Sequence, residues 1–204
     1  KVNAIGFENL KGIKGGLFVG NHQTYIDVLG IASLIPACFV TSTEIKESPG
    51  LGQICQMAGC LFVERRNKSN IHKEISELRE GLQLGLKVAI FPEATSTNGE
   101  AILRFRKPLF VAAIDGGVPV YPLVLNYTTV GGEPISTANR DKICWYGDMD
   151  FLPHIWSLCS SGGVNLDLHF LPPIATTLET DPRELAERAQ RAVESVFKPI
   201  RPPG

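Results

Sequence analysis

The chain lacks an excess of charge of either sign. Its 204 residues include 20 Lys plus Arg and 21 Asp plus Glu, so the formal net charge at pH 7 is -1. A general nucleic-acid-binding protein is normally basic, so this class is disfavoured. Any affinity for phosphate must therefore come from local clusters of basic residues. The overall balance, 44% hydrophobic and 20% charged residues, is typical of a folded domain rather than of a disordered tail.

Cysteines are few and are not arranged in pairs. The five cysteines are an odd number without short paired spacings, which fits neither a disulfide framework nor a zinc site. We therefore expect reduced thiols in a domain that faces the cytosol.

No apolar run has the length of a membrane-spanning helix. The uncharged stretch 28–40 is shorter than the roughly 20 residues that such a helix needs, and it contains Pro36. The chain begins with Lys1 rather than Met. We therefore expect a fragment or a processed form. Whether a membrane segment precedes Lys1 is not decided by this sequence.

What the sequence does contain is an alternation of short apolar runs and helical patterns, which predicts a layered α/β fold. Residues 16–20 resemble a buried strand, and residues 25–34 an apolar helix. Residues 88–91 form a further strand, which Pro92 ends. The clearest helix carries a single apolar stripe at spacings of four, three and four residues, namely Ile71, Ile75, Leu78 and Leu82.

The second half of the chain is less regular. A strand is predicted over residues 118–125. It should lie at an edge or in an irregular position, because it contains Pro119 and Pro122. A further strand is predicted over residues 143–146. The apolar segment 151–159 contains Trp156; we expect it to be buried in the core, with a membrane contact as the alternative.

The first candidate site is Asn-His-Gln-Thr-Tyr-Ile-Asp at residues 21–27, directly after a strand and at the start of a helix. His22 is the type of side chain that acts as a general base near neutral pH. An acid on the other ring nitrogen, here Asp27, would fix its tautomer and stabilise the imidazolium. The two meet only if His22 lies in the loop and Asp27 in the first turns of the helix. The alternative is a solvated loop histidine.

Two further segments carry charge and hydroxyl groups after predicted strands. Arg65, at the end of residues 59–66, can present a planar five-donor fork to a phosphate; the alternative is a solvated strand end. Residues 91–99, Phe-Pro-Glu-Ala-Thr-Ser-Thr-Asn-Gly, offer a carboxylate, hydroxyls and backbone N–H groups, with Arg104 and Arg106 following. The alternative there is a plain turn.

Together with residues 118–122, Val-Pro-Val-Tyr-Pro, these blocks occur in an order and spacing that resemble the lysophosphatidic acid acyltransferase family, the PlsC-type glycerolipid acyltransferases. The resemblance covers about residues 2–125. It implies an α/β fold with a mixed, mostly parallel central sheet flanked by helices, in a single acyltransferase domain over residues 1–204.

By this resemblance the chain is an O-acyltransferase of phospholipid biosynthesis. It moves a fatty acyl group from acyl-CoA or acyl-carrier protein to a hydroxyl of 1-acylglycerol-3-phosphate or a related lysolipid. His22 is then the general base and Asp27 its partner. The resemblance further implies that the acceptor and its phosphate are bound by residues at the remaining matched or nearby positions, Arg65, Glu93, Thr95, Ser96, Arg104 and Arg106.

The resemblance further implies neither metal nor other cofactor, the acyl thioester being a co-substrate. The partners are the lysolipid, the thioester and a membrane surface on its cytoplasmic face, with no nucleic acid; the oligomeric state stays open. The main alternative is a non-catalytic acyltransferase-like domain that binds lipid or a partner. A thioester hydrolase using the same pair on water, and an unrelated α/β binding domain, are weaker alternatives.

The sequence departs from the family pattern, whose third block usually reads Phe-Pro-Glu-Gly-Thr-Arg-Ser. Ala94 replaces the Gly, so this loop should use a backbone conformation that a non-Gly residue tolerates. Ser96 replaces the Arg, and Ser42 stands where a Lys often precedes the Glu of an earlier segment. Members with lysophospholipid or amino-acid-lipid acceptors carry a Thr/Ser-rich version of this block, which this sequence resembles.

Overall fold

The computed structural model describes residues 1–48, 50–57, 60–63 and 71–203. The strands are β1 (Val2–Ile5), β2 (Gly16–Gly20), β3 (Cys38–Ser42), β4 (Leu61–Val63), β5 (Lys87–Ile90), β6 (Val120–Val130), β7 (Glu133–Pro134) and β8 (Val164–Phe170). The helices are α1 (Ile26–Ala32), α2 (Thr43–Glu47), α3 (Leu51–Met57), α4 (Ile71–Gln83), α5 (Phe110–Gly116), α6 (Phe151–Cys159) and α7 (Pro182–Glu194).

The strands form one mixed, mostly parallel sheet, as predicted. Its order is β1-β8-β6-β2-β5-β3-β4, with β7 paired to β6. Strand β6 runs antiparallel to β7 and β8, whereas the other five pairings are parallel. Because β2 lies between β5 and β6 and is buried along its whole length, the loop that follows it emerges from the middle of the sheet.

Helices cover both faces of the sheet, and each face has its own core. Side chains of β2 alternate between them: Leu17 and Val19 belong to one core and Phe18 to the other, as a strand with two buried faces requires. The first core is completed by α4, α5 and α7. The second receives Ile31 of α1. The five cysteines are free thiols, as expected.

Of the two alternatives predicted for the proline-containing strand, the edge position is wrong, whereas its pairing with β8 is irregular, with a register shift between Tyr127 and Thr129. Strand β6 lies inside the sheet, between β2 and β8. Pro119 precedes it, and Pro122 lies just beyond the paired residues Leu123 and Phe170. The carbonyl of Pro122 accepts from the N–H of Leu171, but Pro122 has no N–H to return. The pairing is therefore interrupted at the proline and resumes beyond it, where Val120 and Ile174 exchange two backbone hydrogen bonds.

Residues 143–146 do not form the predicted strand. They follow a short 3₁₀ turn, Arg140–Lys142, and run irregularly. The N–H of Trp145 donates to the carbonyl of Gln23 at 2.8 Å, and the Trp145 carbonyl accepts from the hydroxyl of Ser96. These side contacts to two loops take the place of strand pairing.

Helix α6 is only partly buried, contrary to the expectation of core burial for this segment. His154 is buried, but Trp156 is 79% exposed and Leu152 70% exposed. In the described part of the chain, no helix combines the length and the apolar character needed to cross a membrane.

Candidate active site

The candidate site lies in the loop that connects β2 to α1. The side chain of Asn21 anchors this loop to β6: its Nδ2 donates to the carbonyl of Leu125 at 3.0 Å, and its Oδ1 accepts from the Leu125 N–H at 2.9 Å. Asn21 is buried, so these bonds replace hydration that the side chain has lost. The loop therefore leaves the sheet in a defined direction.

His22 and Asp27 meet in the arrangement that the spacing requires, with the histidine in the loop and the aspartate in the first turn of α1. The distance from His22 Nδ1 to Asp27 Oδ2 is 2.8 Å. Asp27 is fully buried, whereas the His22 side chain is 22% exposed. A carboxylate only accepts hydrogen bonds, so Nδ1 carries the proton and Nε2 is the basic nitrogen.

The buried carboxylate of Asp27 has three further donors. Its Oδ2 accepts from the N–H groups of Gln23 at 2.7 Å and Thr24 at 3.0 Å. Its Oδ1 accepts from the hydroxyl of Tyr127 at 2.6 Å. Burial, followed by the charge of Asp27, raises the pKa of Tyr127 well above 10, so this phenol stays a donor. Such bonds are what makes a buried charge tolerable.

Phe91 fixes the plane of the imidazole. The rings of His22 and Phe91 stack with centroids 4.0 Å apart and planes 9° from parallel. Because Nδ1 is held by Asp27 and one face of the ring by Phe91, the orientation of Nε2 is determined before a substrate arrives.

Glu93 is buried next to His22 and joins two loops by hydrogen bonds. Its Oε1 accepts from the N–H of His22 at 2.7 Å and its Oε2 from the N–H of Leu103 at 2.6 Å. Burial raises the pKa of Glu93 to about 7, against the lowering effect of these two bonds. Both carboxylate oxygens accept from backbone N–H groups, so Glu93 links the loop that carries His22 to the loop that carries Leu103.

The loop after Glu93 keeps the backbone shape that favours glycine. Ala94 has φ 62° and is the one non-glycine residue with positive φ among the described residues. The sequence predicts a backbone conformation that a non-Gly residue tolerates, whereas Ala94 lies in the left-handed region that favours glycine. Left-handed backbone costs an alanine roughly 1–2 kcal/mol, so the fold imposes this shape.

The hydroxyls of this loop serve different partners. Ser96 donates to the carbonyl of Trp145, so its hydroxyl ties the 143–147 segment to the site. Thr97 donates to the carbonyl of His22 from both its N–H, at 2.9 Å, and its hydroxyl, at 3.1 Å. Thr95 is exposed and belongs to the wall of the adjoining cleft.

A cleft of about 320 Å³ opens beside His22. The hydroxyl-bearing residues Thr41, Thr95 and Ser96 belong to its lining. The rest of the wall is mostly apolar or aromatic and includes Tyr25, Val28, Phe39, Val40, Ile45, Phe91 and Trp145. His22 therefore borders a space whose mostly apolar wall suits an alkyl chain.

The predicted basic residues are distributed unevenly. Arg106 borders a second cavity of about 140 Å³, which shares Val40, Phe91 and Ala94 with the cleft. Arg104 is exposed and borders neither of these two spaces. Arg65 lies outside the described residues.

Sequence reasoning missed the contributions of Tyr127 and Trp145. Both come from segments more than 100 residues after His22, and neither stands in a recognisable block. The one usable signal is chemical: a tyrosine within the apolar run of β6 needs a partner for its hydroxyl when buried. In the described ranges, no three His, Cys, Asp or Glu side chains gather as a metal site requires.

The comparisons with known proteins point to one enzyme family. The family model described as Acyltransferase matches residues 1–126. A lyso-ornithine lipid O-acyltransferase of Pseudomonas aeruginosa is 33% identical over 177 residues, which cover 87% of this chain and 66% of the relative. One of Brucella abortus is 27% identical over 189 residues, which cover 89% of this chain and 71% of the relative.

Two further proteins carry a different acceptor in their names. A 1-acyl-sn-glycerol-3-phosphate acyltransferase of Neisseria gonorrhoeae is 28% identical over 183 residues, 89% of this chain and 69% of the relative. The crystal structure of a 1-acyl-sn-glycerophosphate acyltransferase from Thermotoga maritima superposes with a TM-score of 0.63 at 20% identity, covering 96% of this chain and 72% of that one. This likeness confirms the predicted fold.

Proposed function

The chain belongs to the Acyltransferase family and is an O-acyltransferase, and from this premise we propose that it moves a fatty acyl group from an acyl thioester to a hydroxyl group of a lysolipid. The observation that carries the mechanism is the His22–Asp27 pair, joined at 2.8 Å, at the edge of a largely apolar cleft. The donors we propose are acyl-CoA and acyl-carrier protein.

The reaction needs one group that takes a proton and later returns it. Nε2 of His22 removes the proton of the acceptor hydroxyl while its oxygen attacks the thioester carbonyl carbon. The new C–O bond forms, the C–S bond breaks as the tetrahedral intermediate collapses, and the thiolate leaves with the proton from His22. Asp27 stabilises the imidazolium between these steps.

The developing oxyanion needs donors that are in place beforehand. The N–H groups of Gln23 and Thr24 already donate to Asp27, so the start of α1 is not their source. We assign this role to the backbone at residues 95–96, which borders the cleft.

The acceptor is a lysolipid, as the names of the relatives indicate. In this chain the hydroxyl of Ser96 donates to Trp145, where the family pattern has an arginine. We propose that Arg65 and Arg106 bind the acceptor headgroup. Lyso-ornithine lipid and 1-acylglycerol-3-phosphate, offered at equal concentration with acyl-CoA or acyl-carrier protein, distinguish the acceptor and donor classes by mass spectrometry of the products.

The substrate resides in a bilayer, and we propose that α6 contacts the membrane on its cytoplasmic face. Exposed Leu152 and Trp156 give the helix an apolar outer surface, and Trp favours the membrane interface. The same helix adjoins the cleft, since its Phe151 and His154 pack against Tyr25. Liposome flotation should weaken with Leu152→Ser plus Trp156→Ser, and not with Leu178→Ser, which removes an equally exposed leucine outside α6.

The decisive test of the reaction is His22→Ala. General-base catalysis is worth roughly 10²–10⁴-fold in rate, so acyl transfer should fall by that order while the circular dichroism spectrum is retained. His72→Ala, an exposed histidine on α4, is the matched control. Full transfer by His22→Ala would reject the mechanism, and release of free fatty acid without lipid product would identify a thioester hydrolase instead.

A further inference from the structure

We propose that Tyr127 is a positioning residue for acyl transfer: its hydroxyl holds the Asp27 carboxylate and limits how strongly that carboxylate binds a protonated His22. This inference rests on the proposed role of His22 as general base. It adds a residue that stands outside the four sequence blocks and that acts on the reaction only through Asp27.

The two oxygens of Asp27 have different partners. Oδ2 takes the local contacts, from His22 Nδ1 and from the N–H groups of Gln23 and Thr24. Oδ1 takes the hydroxyl of Tyr127 at 2.6 Å. The contacts of Oδ2 alone hold only one of the two carboxylate oxygens. The hydrogen bond from Tyr127, 100 positions later in the chain, holds the other oxygen and so prevents rotation of the carboxylate about its Cβ–Cγ bond.

Strand β6 supports both ends of the catalytic loop. Its Leu125 exchanges two hydrogen bonds with Asn21 at the start of the loop. Its Tyr127, two residues further and therefore on the same face of the strand, reaches Asp27 at the end of the loop. His22 lies between these two attachments, so the position of the dyad relative to the sheet is set by one rigid strand.

The hydrogen bond also has an electronic consequence. Tyr127 is buried and its pKa is raised well above 10, so the phenol donates throughout the working pH range. A donor on Oδ1 draws negative charge away from Oδ2 and weakens its attraction for the imidazolium. Without that donor, Oδ2 attracts the imidazolium more strongly, and we expect the acid limb of the activity profile to move to higher pH.

Three other titratable groups interact electrostatically with Asp27 or Tyr127, namely Glu93, Cys144 and Tyr25. Burial raises the pKa of Tyr25 and of Cys144 to about 12, so neither ionises in the working range. The pKa of Glu93 is raised to about 7, so Glu93 titrates in the same range as the reaction. The pH profile is therefore recorded with and without Glu93→Gln.

The test is Tyr127→Phe, which removes the hydroxyl and keeps the ring. We expect kcat to fall about tenfold, the equivalent of one hydrogen bond to a charged group, with little change in the KM of the acceptor. The acid limb of kcat/KM should move up by about half a pH unit. Tyr121→Phe is the matched control, because Tyr121 is a buried tyrosine on the same face of β6 whose ring stacks on Phe18; we expect no shift there.

A second variant covers the case in which Tyr127→Phe fails to fold. Replacement of Tyr127 by 3,5-difluorotyrosine keeps the hydroxyl and makes it a stronger donor, so the acid limb should move downward. An unshifted acid limb in a folded variant overturns the proposal, even if kcat falls, because a purely structural role predicts that result. Activity of His22→Ala equal to the parent would instead overturn the general-base mechanism itself.

Discussion

The imidazole of His22 lies flat on the ring of Phe91, with the centroids 4.0 Å apart. Phe91 follows β5 and His22 follows β2, two strands that pair in parallel. Because the carboxyl ends of parallel neighbours lie at the same edge of a sheet, the topology brings these two rings together. The hydrogen bond to Asp27 fixes the position of Nδ1, and the stacking on Phe91 fixes the plane of the imidazole ring.

Replacing Phe91 should therefore affect the rate more than the fold. Phe91→Leu keeps an apolar side chain but removes the flat surface. We expect kcat to fall about tenfold, because a displaced imidazole loses the alignment that the proposed general base needs. Steady-state kinetics measures this. Phe18→Leu removes a buried ring elsewhere in the sheet and should lower the stability while kcat stays close to that of the parent; equal losses of kcat in both variants would argue against orientation by Phe91.

Asp27→Asn should damage both catalysis and stability. The amide cannot stabilise an imidazolium, and its NH₂ group opposes one of the donors that now bind the carboxylate. By analogy with other His–Asp pairs we expect kcat to fall about 10³-fold or more. The free energy of unfolding should drop by about 2 kcal/mol, measured by urea denaturation. Asp115→Asn, at an exposed position of α5, should change neither quantity; a fully active Asp27→Asn would contradict the proposed pairing.

Glu93 makes the stability depend on pH. Its pKa is raised from 4.5 to about 7, so the folded state keeps the proton to higher pH than the unfolded state. The stabilisation from this group is complete below pH 4.5 and is lost as the pH rises to about 7. The loss is about 3 kcal/mol. Urea denaturation between pH 4.5 and 8 should show this fall in the parent relative to Glu93→Gln, and parallel curves would contradict it.

Ala94→Gly should stabilise the protein. The left-handed φ of 62° costs alanine roughly 1–2 kcal/mol, and the greater freedom of glycine in the unfolded chain offsets about half of that relief. We expect the free energy of unfolding to rise by about 0.5–1 kcal/mol. Ala112→Gly, in helix α5, should have the opposite sign in the same thermal or urea measurement. A loss of stability in both variants would mean that the methyl group of Ala94 contributes more packing than the strain removes.

Ser96→Ala tests the link between the Glu93 loop and Trp145. Without the hydroxyl, the carbonyl of Trp145 loses a donor and the wall of the cleft loosens, so the KM of the acceptor should rise several-fold. The kcat should fall less than the KM rises, since His22 and Asp27 keep their contacts and the substitution leaves the backbone N–H groups of residues 95–96 in the chain. Ser33→Ala removes a hydroxyl that donates to Gly30 in α1 and should leave the KM unchanged. An unaltered KM in Ser96→Ala would separate Trp145 from substrate binding.

Local patterns were enough to predict much of this molecule. The apolar stripe of Ile71, Ile75, Leu78 and Leu82 predicted a helix that the structure places at Ile71–Gln83. The strand of residues 16–20 followed by a polar loop predicted the junction that carries His22. Hydrophobic periodicity and strand-to-helix transitions are properties of neighbouring residues, so one sequence suffices to recognise them.

Contacts between distant segments could be known only from the tertiary structure. That β6 is an internal strand depends on its neighbours, β2 and β8, and not on its own prolines. The exposure of Trp156 depends on which face of α6 the rest of the chain leaves uncovered. The hydrogen bond from Tyr127 to Asp27 joins residues 100 positions apart. The sequence alone determined which groups of catalytic type follow which strand, whereas the fold decided how those groups are held, because orientation results from packing and hydrogen bonds across the sheet.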